Sequence, residues 1–190
     1  MQYESDTFSD HPVPTKNEAD SPVIVAQDED EIMVDYAEPV SSFKKMFAEF
    51  GVTDDDFPAS GSVCSIIRTR PRLARLNAES VTSETVRKMH DMRWSIGDIR
   101  DLLFLIGNVG FDWKELRARP KESVIIVALG SPVKKQGLIF YPMVTVHPAD
   151  DGTENMSIQL VLDDNQLKWL KGNYVIVVEP QVSAATLSQM

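Results

Sequence analysis

The sequence predicts an α+β domain, and three observations support this fold class. The runs ESVIIVAL at 122–129 and NYVIVVE at 173–179 are continuous and rich in β-branched residues, which is typical of strands buried on both faces. The stretch SIGDIRDLLFLIG at 95–107 carries apolar residues at the spacing of one helical face. Acidic residues are concentrated near the amino terminus. We therefore expect a structured body that follows a separate acidic arm.

The expected body is a mostly antiparallel sheet of four to five strands packed against two or three helices. It occupies residues 41–180 as a single domain, between a disordered arm at 1–40 and a loose tail at 181–190. The chain has 190 residues, of which 43% are hydrophobic and 25% charged. This length and composition are typical of one soluble domain with an ordinary core. No apolar run is long enough for a membrane span, and the single cysteine, Cys64, excludes an internal disulfide.

The net charge of −10 is contributed entirely by the first 40 residues. This segment holds eleven acidic residues and one base, Lys16, whereas the other 150 residues hold 18 acids and 18 bases. Self-repulsion and scarce large apolar groups leave too little burial to offset the ordering of the backbone, so disorder is expected here.

Two apolar islands interrupt the acidic arm and are predicted to bind a partner as short linear motifs. A solubilising tail without a specific partner is the alternative. The predicted contact residues are Val23, Ile24, Val25, Ile32, Met33, Val34 and Tyr36.

The segment SSFKKMFAEF at 41–50 is predicted to be a short amphipathic helix that docks on the core. Membrane or partner contact is the alternative, because Lys44 and Lys45 flank its aromatic face. A single turn capped by Thr53 follows, and Gly61 to Ile67 is predicted to be a strand.

Four arginines lie within eight residues after this strand, and Pro71 among them indicates an exposed loop or strand edge. Arginine pairs with two oxygens of a phosphate or carboxylate at once. The functional interpretation is contact with nucleic acid, anionic lipid or an acidic partner, including the protein's own arm. A solvated loop with local ion pairs is equally compatible. The residues are Arg68, Arg70, Arg72 and Arg75.

Three helices are predicted next, at 80–94, at 95–107 and from 112 to about 120. The last third of the chain changes to strand periodicity, with strands at 122–129, 138–146, 156–162 and 173–179. Pro142 favours an edge strand or a bulge. A glycine-flanked loop is expected at 130–137, and a short helix is expected between Asp163 and Gly172.

The sequence contains no pattern that indicates catalysis, a metal or a cofactor. His11, His90 and His147 are scattered, and no serine lies in a nucleophile elbow. No zinc spacing, phosphate-binding loop or dinucleotide fingerprint is present. We therefore expect no enzyme activity, no cofactor and no metal.

The order of elements in residues 60–180 resembles that of the small matrix proteins of rhabdoviruses. The similar stretches are SIIRTRPR, then VRKMHDMRWSIGDIRDLLFLIG, then MSIQLVLDD and the closing YVIVVE. The resemblance implies a compact α+β body that follows a proline-containing arm. It also implies that the protein is a component of the virion. The acidic arm departs from the basic arm of that family, and neither HPVPT nor VDYAEP matches its Pro-Pro-x-Tyr motif.

These observations lead to a non-enzymatic assembly protein, matrix-like, found in the virion and the host cytoplasm. It would self-associate through its neutral body, while the acidic arm binds a basic protein or nucleocapsid surface. The arginine segment would contact an anionic membrane or nucleic acid. The alternative is a cytoplasmic adaptor whose acidic arm carries a short linear motif.

Overall fold

The structure is a computed structural model, and it describes residues 20–25, 31–58, 66–107, 113–164 and 167–179. These residues form an α+β fold, as the sequence predicts. Its strands are β1 Val23–Val25, β2 Ile32–Asp35, β3 Glu49–Phe50, β4 Ile66–Thr69, β5 Pro71–Arg75, β6 Ser95–Ile96, β7 Val124–Val127, β8 Val133–Lys135, β9 Leu138–Pro148, β10 Glu154–Leu162 and β11 Tyr174–Val178. Its helices are a 3₁₀-helix Val40–Met46, α1 Thr82–Asp91, α2 Ile99–Gly107 and α3 Trp113–Leu116.

The described strands form one mixed sheet of nine strands and a separate two-stranded ribbon. The order in the large sheet is β1-β5-β11-β7-β9-β10-β3, with β6 beside β11 and β8 beside β9. The pairs β11–β7 and β10–β3 are parallel and the others are antiparallel. The prediction of a mostly antiparallel sheet of four to five strands therefore underestimated the number of strands and missed the parallel pairs. Strands of two to four residues carry almost no periodic signal in the sequence.

The core lies on both faces of the large sheet. One face packs against α2, the 3₁₀-helix and α3, with Leu102, Leu103 and Ile176 at its centre. The other face packs against α1 and Trp169, around Met89 and Val175. Burial of the sheet on both sides explains why β7 and β11 read as continuous apolar runs.

The central helix begins at Ile99, because Asp98 caps it. The carboxylate of Asp98 accepts the N–H of Arg100 at 2.7 Å, and Asp101 accepts the N–H of Asp98 at 2.7 Å. This reciprocal arrangement is a capping box built from two aspartates. The preceding residues Ser95–Ile96 extend the sheet as β6 and are not part of the helix.

Three local predictions are wrong. The loop expected at 130–137 contains strand β8, which pairs with β9 across a two-residue turn at Gln136 and Gly137, both with positive φ. This turn geometry matches the twist of the strands. Pro142 is not on an edge strand, because β9 pairs with β10 on one side and with β8 and β7 on the other. Pro142 itself lies opposite Leu160 and falls between Phe140, which pairs with β8, and Met143, which pairs with β7. The described residues between Asp163 and Gly172 form turns and a bridge from Trp169 to Ser80, not a helix.

Two described parts of the N-terminal arm, which the sequence predicts to be disordered, form strands in the structure. Val23–Val25 pairs with β5 and Ile32–Asp35 pairs with β4, so these residues belong to the fold. The apolar islands find partners in the chain itself, and their burial offsets the entropy cost on which the disorder argument depended. Residues 1–19, 26–30 and 180–190, including the whole of the predicted tail at 181–190, lie outside the described residues.

Candidate self-association surface

The ribbon formed by β2 and β4 stands apart from the nine-stranded sheet. The two strands are antiparallel, with Ile32 opposite Thr69 and Asp35 opposite Ile66. Within the described residues neither strand pairs with a third one. In this part of the chain each of the two strands therefore has one edge without a strand partner.

The outer face of the ribbon is partly apolar. Side chains alternate along a strand, so Met33 and Ile66 share the face that points away from the core. Their side chains are 49% and 56% exposed, respectively. On the inner face Val34 is fully buried and Thr69 is buried, although Ile67 at the end of the ribbon is exposed. Large apolar side chains in neighbouring positions on an exposed ribbon are typical of a contact surface.

A buried hydrogen bond ties the ribbon to the central helix. The Tyr36 hydroxyl, one residue beyond β2, donates to Oδ1 of Asp101 at 2.6 Å. Thr69 of β4 lies 3.5 Å from the same oxygen. Burial raises the pKa of Asp101, although its hydrogen bonds from Tyr36 and Asp98 act in the opposite direction. The pKa of Tyr36 is also raised, mainly by burial and to a smaller extent by the hydrogen bond with Asp101 and the charge of its carboxylate.

Arg100 fixes the chain that follows the ribbon. Its buried guanidinium donates to the carbonyl of Glu38 at 3.0 Å and to the carbonyl of Phe57 at 2.8 Å. A two-stranded ribbon is only marginally stable by itself. The contacts of Arg100 and Asp101 therefore hold the ribbon in a defined position on the body.

The four arginines lie on strands β4 and β5 and on the residue between them; β4 is an edge strand of the ribbon, as the strand-edge alternative has it, whereas β5 lies between β1 and β11. Pro71 is tolerated because it is the first residue of its strand. Arg70 lies 3.4 Å from Glu31, which belongs to the acidic segment, and 3.4 Å from Glu179 near the other end of the chain. Arg68 is exposed, whereas Arg72 and Arg75 are half-buried.

The structure separates the predicted contact residues of the two apolar islands. In β1, Val23 is exposed, while Ile24 and Val25 pack against opposite faces of the core. In β2, Met33 is exposed, Ile32 is half-buried and Val34 is buried. Met33 therefore remains at the surface, whereas Val34 and Tyr36 hold the ribbon in place.

A cleft between α3 and the β9–β10 turn was not anticipated from the sequence. It encloses about 850 Å³. Ser123 Oγ and His147 Nδ1 lie 2.6 Å apart inside it. The pairing arises from the register of β7 with β9, in which Val124 is opposite Val146. Residues 24 positions apart meet here only through the sheet, so no local pattern could have indicated it.

Among the described residues no helix has the length and hydropathy that crossing a membrane requires. The same part of the chain contains no group of three or more side chains suited to hold a metal ion. Comparison with known proteins finds no match: no protein-family model, no curated protein and no solved structure is similar to this chain.

Proposed function

We propose that this protein is a non-enzymatic structural protein that self-associates, as a matrix-like virion component acting in the virion and the host cytoplasm. The observation that supports the proposal is the β2–β4 ribbon, whose two outer edges have no strand partner among the described residues and whose Met33 and Ile66 are exposed. A second copy of the chain is the proposed occupant of this surface.

Charge on the outer face of the ribbon favours a second copy. Side chains at alternate positions place Glu31 and Asp35 along β2 and Arg68 and Arg70 along β4. Glu31 and Arg70 are already paired within the chain, so in a two-fold arrangement the acidic strand of one copy would share or exchange these ion pairs with the basic strand of the other. The exposed apolar residues between these charges supply the area to be buried.

The acidic residues that precede the fold supply a second contact in this proposal. Residues 1–19 hold Glu4, Asp6, Asp10 and Glu18 against the single base Lys16. In this proposal these acidic residues bind a basic surface on a neighbouring copy or on a nucleocapsid partner. Such a contact weakens with salt, because screening is strong between exposed charges.

Sedimentation velocity over a range of protein concentrations tests the ribbon as the self-association surface. We expect Ile66→Glu to raise the dissociation constant at least about tenfold, because burial of an isoleucine contributes about 2 kcal/mol and a carboxylate would have to be desolvated. Leu170→Glu is the matched control, since Leu170 is also 56% exposed but lies outside the ribbon.

Two results would count against the proposal. If the wild-type protein remains monomeric at all concentrations, it does not self-associate. Equal weakening by both variants removes the ribbon as its surface. A monomer that instead binds a separate protein through residues 1–19 would favour the adaptor function.

A further inference from the structure

The cleft between α3 and the β9–β10 turn has the dimensions of a small-molecule site. Its volume of about 850 Å³ falls within the range of roughly 300–1,000 Å³ that ligand sites occupy. One wall is the segment from Lys114 to Ser123, and the other is the turn from His147 to Glu154. Neither wall belongs to the β2–β4 ribbon, so the site is independent of the self-association surface.

Two cross-links join the walls of the cleft. The Arg117 guanidinium forms a bidentate ion pair with Glu154, in which Nη1 lies 2.9 Å from Oε1 and Nη2 contacts Oε2. The side chain of Arg117 is 4% exposed, which makes this pair part of the interior. The second cross-link is the Ser123–His147 hydrogen bond. A site whose walls are held together before binding loses little freedom when a ligand enters.

The rims of the cleft are also constrained. On one side, the N–H of Glu122 donates to the carbonyl of Arg119, which closes a tight turn with Pro120 at its second position. On the other side, the carboxylate of Asp151 accepts both the N–H and the hydroxyl of Thr153, at 2.9 and 2.6 Å. The turn that carries Arg119 and Lys121 is therefore a defined element of the surface.

The charge of the cleft is opposite to that of the protein. The chain carries a net charge of −10, yet the residues that line the cleft include two arginines and two lysines against two carboxylates, Asp150 and Glu154, while Glu122 and Asp151 lie on the rims outside this lining. One of those carboxylates, Glu154, is already neutralised by Arg117. Arg119 and Lys121 are exposed on the rim, where they attract an anion from solution.

We infer that this cleft binds a small anion that carries phosphate groups. The planar guanidinium of Arg119 matches two phosphate oxygens at once, and Lys121 adds a second charge. The hydroxyl of Ser123 and the imidazole of His147 supply further hydrogen-bonding groups in the lining. A phosphate group with nearly two negative charges gains more from these cations than a carboxylate does. A soluble phosphate ester and a phosphorylated lipid headgroup share this chemistry.

Isothermal titration calorimetry of the full chain with inorganic pyrophosphate at low ionic strength tests the inference. We expect saturable binding that the variant R119Q/K121Q weakens at least about tenfold, because two charge-assisted contacts are lost. The control K134Q/K171Q removes two exposed lysines outside the cleft and should change the affinity less than about twofold. Unchanged thermal unfolding of each variant shows that the fold is retained.

A flotation assay with vesicles identifies the source of the phosphate. Binding to vesicles that contain phosphatidylinositol bisphosphate, but not to phosphatidylserine vesicles of equal charge, supports a lipid headgroup when pyrophosphate displaces it. Pyrophosphate binding without vesicle binding supports a soluble ester. The inference is overturned if wild-type protein does not bind pyrophosphate, or if both double variants lose affinity equally.

Discussion

The Tyr36 hydroxyl donates a 2.6 Å hydrogen bond to Oδ1 of Asp101, although the two residues are 65 positions apart in the chain. Asp101 is buried in the first turn of the central helix, and Tyr36 follows the strand that the acidic segment contributes to the ribbon. The bond therefore joins the N-terminal segment to the centre of the fold. It explains how residues in a strongly acidic stretch become part of a folded domain.

Tyr36→Phe is expected to destabilise the protein. The substitution removes a hydrogen bond to a buried carboxylate, for which the cost is about 1.5–3 kcal/mol. Urea denaturation followed by circular dichroism measures the free energy of unfolding. Tyr141→Phe is the control, because Tyr141 is half-buried and no hydrogen bond of its hydroxyl is found among the described residues. Equal stability of the two variants would contradict the role of the Tyr36–Asp101 bond.

Gly130→Ala is expected to destabilise the fold by about 1–3 kcal/mol. A Cβ at Gly130 would lie 2.5 Å from the backbone oxygen of Gly97, which also accepts the N–H of Gly130. Backbone atoms cannot yield as a flexible side chain does, so the two segments must separate. Thermal unfolding measures the loss.

Gly107→Ala is the matched control for this prediction. Among the described residues its Cβ would meet Met46 alone, at an ordinary contact distance of 3.7 Å. Alanine also favours the helical conformation over glycine, so we expect no loss of stability or a gain of up to about 1 kcal/mol. A loss at Gly107 as large as that at Gly130 would show that the close approach to Gly97 is not the cause.

Asp56→Asn is expected to destabilise the protein in a pH-dependent way. Partial burial of Asp56 tends to raise its pKa, but hydrogen bonds from Lys135 and Thr53 outweigh it and hold the pKa below 3.8. The unfolded chain thus binds this proton more readily than the folded chain does. The stabilisation is therefore present at pH values above about 3.8, the ordinary pKa of the carboxyl, and is lost as the pH falls through the pKa of Asp56 in the folded protein.

We expect the difference in unfolding free energy between wild type and Asp56→Asn to be about 1 kcal/mol near neutral pH. It should shrink when unfolding is repeated at pH values below the pKa of the folded carboxyl. Asp55→Asn is the control, because Asp55 is the exposed neighbour of Asp56 in the same turn. A difference for Asp56 that is constant over the whole pH range would exclude a role for its charge.

Deletion of residues 1–19 is expected to weaken assembly at low salt but to leave the fold intact. This segment precedes the first described strand and carries four of the acidic residues. Size-exclusion profiles of the full and truncated chains should differ at low ionic strength and converge near 1 M salt, where the screening length is only about 3 Å. Identical profiles under both conditions would remove the acidic segment from the assembly.

Long elements with a strong periodic pattern were predictable. The helix at Ile99–Gly107 and the strands at Val124–Val127 and Tyr174–Val178 have enough apolar residues for local sequence to indicate their type and burial. The α+β class follows from them. Short elements were not predictable, because β3 and β6 have two residues each and form only where a longer strand is already in place.

The candidate surface shows the same division. The sequence singled out Met33 and the arginines, and it placed them on a disordered arm and on an exposed loop or strand edge. Strand pairing between Ile32–Asp35 and Ile66–Thr69 brings these two segments together as one ribbon. Composition gives the number of acidic and basic residues in a segment, but it does not show which distant residues pair with them. The ion pair between Glu31 and Arg70 is an example.

By itself the sequence determined which residues are able to form the core, where the central helix ends, and that the excess negative charge lies before residue 41. Only the tertiary structure decided that parts of the acidic segment are strands, that β9 is an interior strand, and that a cationic cleft forms beside α3. The physical reason is that helix periodicity and burial are local properties of a chain, whereas strand pairing and clefts depend on which distant segments meet.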